Sequence, residues 1–189
     1  MFKSHTFEFE VDDVLSGGAD DLARSFLTLW QKTKGEVTSD IEPLSSHLIL
    51  CDGSPVDGDV PDILSCGPNA LSSRVFGPNW FSDPSRAKLL LNQEYRLACG
   101  RSYIKAVREF VPVFDMVKAN MAVGGTPHMI AYQRLILPFT TPAGFRFLLC
   151  YSANLNHDLQ IEYPEPTAQR HDDRILKNIS QCIPKSLGL

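Results

Sequence analysis

The chain lacks the sequence features that mark nucleic-acid-binding, membrane and secreted proteins. Its 18 lysines and arginines are outnumbered by 22 aspartates and glutamates, and non-specific binding to nucleic acid depends on cations that neutralise phosphates. No uninterrupted apolar stretch approaches the roughly 18 to 20 residues that cross a bilayer. The N-terminus, MFKSHTFEFEVDD, has neither the basic start nor the apolar run of a secretory signal. We therefore expect a cytoplasmic protein that binds no nucleic acid and does not insert into membranes.

The short motifs of common catalytic and metal chemistry are also missing. No two of the five histidines have the spacing that places two metal ligands on one helical face. Gly124 and Gly125 are followed by Pro127 and by no lysine, so they do not form a phosphate loop. The acidic segment 52–59 lacks the spacing of a calcium loop, and Gly-x-Ser-x-Gly does not occur. We predict that the protein is not an enzyme and holds no metal ion.

The cysteines point to packing and not to chemistry. There are five of them, an odd number, and no Cys-x-x-Cys pair occurs. We expect reduced thiols that are buried as small apolar side chains. Cys150 lies near His157 and Asp158 in the sequence, but side chains at strand ends are usually structural, and we assign no cysteine nucleophile there.

Three apolar, β-rich segments occupy the third quarter of the sequence, at 112–121, 129–139 and 145–152. Glycine and proline separate them, at 124–127 and at 142–144, and such residues between apolar runs are typical of antiparallel turns. We predict a three-stranded meander. Such a sheet needs helices on at least one face.

The first part of the chain predicts one helix and a hairpin. Apolar residues recur at helical spacing over 20–34, acids stand at the start, and Gly35 ends the pattern. The apolar side of this helix packs either on its own domain or on a second subunit. Segments 46–51 and 62–66 predict two paired strands, and 70–76 predicts short helical turns.

The long helix before the meander is predicted to begin at Asp83, an N-cap, and to be interrupted by Gly100. Residues 102–110 suit either helix or strand, and we favour helix. After the meander, the prolines of 163–167 form a stiff linker. Residues 172–183 have one apolar side and predict a C-terminal amphipathic helix.

Residues 132–138 read Tyr-Gln-Arg-Leu-Ile-Leu-Pro, and this run is similar to the Tyr-x-Arg-Leu-x-Leu-Pro pattern in the last strands of divergent bacterial PAS-like proteins. The order of the predicted elements also fits, so the chain resembles a PAS domain. The resemblance implies an α+β fold in which a five-stranded antiparallel sheet has helices on one face, with flanking helices at both ends. It divides the chain into a lead-in at 1–18, a PAS-like domain at 19–160, and a linker and helix at 161–189.

The resemblance does not extend to the chromophore-binding members of that superfamily. Flavin photosensors carry Asn-Cys-Arg-Phe-Leu-Gln, whereas the sequence around Cys66 reads SCGPN, so no flavin adduct is expected. The segment 84–110 contains no histidine that could serve as a haem ligand, and His128 is a distant second choice. We do not expect haem, and the cofactor stays unknown.

Arg134 is the only charged residue in the apolar run 130–139. It either points to solvent or pairs with a nearby acid, or else it anchors an acidic ligand in a pocket. The aromatic residues around it either pack against helices or line a cavity. The candidate ligand-binding residues are Trp80, Tyr95, Tyr132, Arg134, Leu135, Leu137, Phe147 and Leu149.

We interpret the chain as a non-catalytic PAS-like sensory module that forms a homodimer. It binds a small, mainly apolar ligand or a partner protein and signals by protein contact. One alternative is a small cone-like enzyme for a hydrophobic substrate, with Arg134, Asp115 and His128 around a cavity. A second is a structural adaptor that uses its terminal helices. The enzyme needs Asp115 to face the cavity with His128, whereas the PAS interpretation places Asp115 on an exposed strand face.

Overall fold

A computed structural model describes residues 4–54, 59–77, 80–81, 91, 93–123 and 126–155, without the side chains of 122–123 and 126–128. The start of the predicted long helix, the linker at 163–167 and the C-terminal helix at 172–183 lie outside the described residues.

Within these residues the chain forms six strands and three α-helices. The strands are β1 (His5–Phe9), β2 (Leu48–Asp52), β3 (Ile63–Cys66), β4 (Val113–Val123), β5 (Thr126–Thr140) and β6 (Arg146–Asn154). The helices are α1 (Asp21–Thr33), α2 (Leu71–Phe76) and α3 (Gln93–Glu109). A π-helical turn at Val14–Gly18 precedes α1, and a 3-10 helix at Ser39–His47 leads into β2.

The strands form one antiparallel sheet in the order β1-β4-β5-β6-β2-β3. The predicted meander is confirmed as β4-β5-β6, and the predicted hairpin is confirmed as β2-β3. The first strand of that hairpin pairs with β6, the last strand of the meander. The sheet has six strands where five were predicted, because the lead-in contributes β1 along the edge of β4.

Helices lie on both faces of the sheet, which corrects the prediction that they cover one face. Leu135, Ile136 and Leu137 are consecutive in β5, and each is at most 1% exposed. Since successive side chains of a strand point to opposite faces, a buried run of this kind requires cover on both.

One face is covered by α1. Asp20 caps this helix by accepting a hydrogen bond from the backbone N–H of Ala23 at 2.8 Å, and Lys34 and Gly35 end it with positive φ. Trp30 donates its indole N–H to the carbonyl of Pro138 at 2.6 Å. The apolar side of α1 therefore packs on its own sheet. The core on this face includes Ala23, Phe26, Leu27, Leu135, Leu137, Phe147 and Leu149.

The other face is covered by α3, which confirms a helix at 102–109. Gly100 does not interrupt α3, contrary to the prediction. A Cβ at this position would stand 2.8 Å from the backbone oxygen of Asp59, so glycine allows the chain before β3 to cross the helix closely. Side chains of β1 reach α3: Thr6 donates to the carbonyl of Ala98 at 3.1 Å, and Glu8 pairs with Lys105.

The four cysteines in the described part of the chain are free and buried, as expected. None of the helices described is long and apolar enough to cross a membrane.

Candidate ligand-binding cavity

A cavity lies between the α3 face of the sheet and helices α2 and α3. The cavity has a volume of about 60 Å³, and all the empty space in and around it, open solvent at its mouth included, is about 670 Å³. The described side chains around it are mostly apolar, among them Ile49, Ile63, Phe76, Trp80, Leu91, Met121 and Ile130. The polar contributions come from Cys51, Ser72, Tyr95, Tyr103, Tyr132, Arg134 and Ser152.

Successive side chains of β5 point to opposite faces of the sheet, and this alternation decides which of the predicted ligand-binding residues line the cavity. Tyr132 and Arg134 point to the α3 face and line the cavity. Tyr95 reaches it from α3, and Trp80 closes it from the chain after α2. The cavity thus brings together four of the eight candidates.

The other four candidates do not contribute to the cavity. Leu135 and Leu137 alternate with the cavity residues of β5 and point to the α1 face, where Phe147 and Leu149 of β6 join them. Their burial against α1 gives them a packing role. Tyr103 and Cys51 line the cavity although they were not among the candidates. The spacing of Tyr95, Cys99 and Tyr103, four residues apart on one helix face, was a signal that could have found Tyr103.

Arg134 carries the only formal charge among the described residues that line the cavity, and it is 2% exposed. Its Nε and Nη2 donate to the two carboxylate oxygens of Asp115 at 3.0 and 2.6 Å. Nη2 also lies 3.5 Å from the carbonyl of Cys99, and the guanidinium carbon stands 4.6 Å from the ring centre of Tyr103. Burial lowers the pKa of Arg134, but the opposing effect of Asp115 and the other acidic groups around it raises that pKa above its ordinary value. The guanidinium therefore stays charged.

Asp115 is fully buried, so its predicted position on an exposed strand face is wrong. It lies directly opposite Arg134 in the register of β4 and β5. Cross-strand neighbours on one face touch, and a carboxylate buried beside a guanidinium is stabilised by that contact. Of the alternatives for Arg134, pairing with a nearby acid is the one observed.

Two buried nitrogen atoms of cavity residues have no hydrogen-bond partner among the described residues: Nη1 of Arg134 and Nε1 of Trp80. Buried N–H groups are normally paired, and an unpaired one costs about 1 to 3 kcal/mol. Burial raises the pKa of the Cys66 thiol, and the hydroxyl groups of Ser72 and Ser73, whose oxygens lie 3.2 and 3.0 Å from its sulfur, partly offset the effect. Arg134 is the stronger of the two unsatisfied donors because it is charged.

The remaining polar groups of the cavity stay protonated. The hydroxyl oxygens of Tyr95 and Tyr132 are 2.5 Å apart, and burial raises the pKa of both phenols. A hydrogen bond with Cys150 and burial raise the pKa of the Cys51 thiol. Thiols in this state are weak nucleophiles.

Among the described residues, no group of three or more histidine, cysteine, aspartate or glutamate side chains could hold a metal ion. The side chain of His128, the second choice for a haem ligand, lies outside the described residues.

Comparison of the chain with protein-family models, curated proteins and solved structures gives no significant match. The resemblance to PAS domains therefore rests on the residues and on the element order alone.

Proposed function

We propose that the protein is a cytoplasmic, non-catalytic PAS-like sensory module that binds a small, mainly apolar ligand in this cavity. The observation that carries the proposal is the buried Nη1 of Arg134, which has no hydrogen-bond partner among the described residues and belongs to a mostly apolar cavity. A concave, mostly apolar site with a few polar groups is the usual form of a small-molecule site.

The state of the polar groups supports binding without catalysis. Both carboxylate oxygens of Asp115 accept hydrogen bonds from Arg134, and Asp115 is not among the described residues that line the cavity, where the enzyme hypothesis needs it. The raised pKa values of the Cys51 thiol and the Tyr95 phenol keep them protonated near neutral pH. Groups of this kind hold and orient a ligand more readily than they attack it.

The order of the elements supports the PAS-like assignment. A two-stranded start (β2-β3) is followed by α2, α3 and the meander β4-β5-β6, which is the order on which the sequence resemblance rests. The run at 132–138 lies in strand β5. Its alternating side chains join the apolar core on the α1 face and the apolar core on the α3 face.

Helix α3 offers a route from the ligand to a protein partner or a second copy of the chain. Tyr95 and Tyr103 line the cavity, while other residues of the same helix bind the edge strand β1 through Thr6 and Glu8. A ligand that favours one position of α3 would shift the population of that position and thereby change the sheet edge. Signalling by contact, including within a homodimer, is part of the proposal.

Native mass spectrometry of the protein purified from its own host tests the proposal. We expect a small molecule to travel with the wild-type chain and to be lost from Cys51→Met, because a longer side chain then occupies the cavity. Leu149→Met introduces the same side chain in the opposite core with almost no change in volume, so it controls for the methionine itself and should retain the molecule. An empty wild-type protein with no bound partner in pull-down experiments would contradict the proposal.

A further inference from the structure

We infer that the ligand of this cavity is electrically neutral and presents a hydrogen-bond acceptor, such as a carbonyl oxygen, to Nη1 of Arg134. The inference rests on the proposed function and adds the ligand's chemical class. It starts from the geometry of one side chain, since a guanidinium has two edges and Asp115 occupies only one of them.

The N–H groups at Nη1 of Arg134 are the reason why the ligand must carry a hydrogen-bond acceptor. Nε and Nη2 of Arg134 are bound by Asp115, and Tyr103 covers the guanidinium face. Nη1 is buried and meets no partner among the described residues, although a charged N–H group forms the stronger class of protein hydrogen bond. A purely hydrocarbon ligand would keep this donor away from water and leave it unsatisfied.

The charge balance determines that the acceptor is neutral. Asp115 already neutralises Arg134, and both are almost completely buried. A carboxylate ligand would leave one uncompensated negative charge among apolar walls, and burying such a charge is costly. The sequence suggested an acidic ligand for Arg134, and the presence of Asp115 reverses that expectation.

The volume limits how much of the ligand is enclosed. The cavity volume of about 60 Å³ is less than the roughly 150 Å³ of an apolar cavity that admits benzene. A group of a few atoms therefore fits inside, and a larger body extends towards the mouth. Trp80 and Phe76, whose ring centres are 5.2 Å apart, line the cavity and offer an aromatic surface to such a body.

Two isosteric series test this inference. Acetophenone, α-methylstyrene and benzoate have the same shape but end in a carbonyl, a methylene and a carboxylate. Acetone, isobutene and acetate repeat the series with smaller molecules, closer in size to the cavity volume. Binding is followed by NMR of isoleucine methyl groups, where Ile63 and Ile130 report on the cavity and Ile41, in the α1 core, is the internal control.

The decisive comparison is between wild type and Arg134→Met/Asp115→Leu, in which apolar side chains replace the ion pair. We expect the preference for acetophenone over α-methylstyrene to fall about tenfold or more in the double variant. Arg146→Met is the matched control, because Arg146 also stacks on an aromatic ring, that of Phe110, but does not line the cavity. It should keep the wild-type preference.

The charge argument has its own test in Asp115→Asn. This variant leaves Arg134 without a counter-charge, so we expect benzoate, which is rejected by wild type, to bind at least about tenfold more tightly. Equal preference in wild type and the double variant, or tight wild-type binding of benzoate, would overturn the inference while leaving an apolar-ligand function intact. If no member of either series shifts Ile63 or Ile130, the proposed function itself fails.

Discussion

Removing one partner of the Arg134–Asp115 pair should destabilise the fold far more than removing both. Arg134→Met leaves a carboxylate that is fully buried and has no cation, and breaking a buried pair in this way costs about 3 to 5 kcal/mol. The stacking on Tyr103 is lost as well, which contributes roughly another 0.5 to 2 kcal/mol. In Asp115→Leu/Arg134→Met no buried charge remains, and replacing such a pair by apolar residues is often neutral. We expect the double variant to be more stable than Arg134→Met by at least about 2 kcal/mol.

The assay is urea unfolding of wild type, both single variants and the double variant, analysed as a double-mutant cycle. The matched control is the surface pair Lys32–Asp40, with an N–O distance of 2.9 Å and side chains 71% and 50% exposed. Its coupling should be below about 1 kcal/mol. If the effects at 134 and 115 add within about 0.5 kcal/mol, or if Arg134→Met costs less than about 1 kcal/mol, the buried pair does not have the energetic role assigned to it.

The remaining predictions concern the thiols, the pH dependence of stability and one glycine. At pH 8 in native buffer, a thiol-specific chromogenic reagent should label at most one of the five cysteines quickly, since the four described are buried; fast labelling of two or more would contradict this. Burial raises the pKa of the Cys66 and Cys99 thiols in the folded protein. As the pH rises, these thiols therefore lose their protons in the unfolded state before they do so in the folded state. The free energy of unfolding should therefore be unaffected by them below about pH 8 and decline above it by up to about 1.4 kcal/mol per pH unit for each thiol. A Cys66→Ala/Cys99→Ala variant with an equally steep decline in denaturant titrations would refute this. Gly100→Ala should destabilise the fold by about 1 to 3 kcal/mol, because its Cβ would meet the Asp59 backbone at 2.8 Å. A gain in stability of about 1 kcal/mol, which alanine usually gives over glycine in a helix, would show that the backbone of Asp59 does not pass close to α3 at this position.

Local patterns in the sequence were sufficient for the meander, the hairpin, helix α1, and the short helix α2. Turn residues between apolar runs identified β4, β5 and β6, and helical spacing with capping residues identified α1. The second covered face was missed, although the unbroken run of apolar residues in β5 is typical of a strand buried on both sides. Gly100 was misinterpreted because its reason is a contact with Asp59, which is distant in the sequence.

The candidate site was predictable in part. Arg134 stood out as a single charge in an apolar strand, but its partner Asp115 is identified only by the register of β4 and β5. Leu135 and Leu137 point away from the cavity because they alternate with Tyr132 and Arg134 along one strand, and a period of two separates them. The register of β6 on β5 places Phe147 and Leu149 on the same face as Leu137. The cavity itself depends on how α2 and α3 pack on the sheet, which no local pattern encodes.

A crystal structure of the full chain with acetophenone is the most direct test of the ligand site. We expect the ligand in the cavity between α3 and the sheet, with its carbonyl oxygen about 3 Å from Nη1 of Arg134. Asp115 should remain bound to the opposite edge of the same guanidinium. A cavity filled by the protein's own side chains, or a ligand bound away from Arg134, would contradict the proposed site.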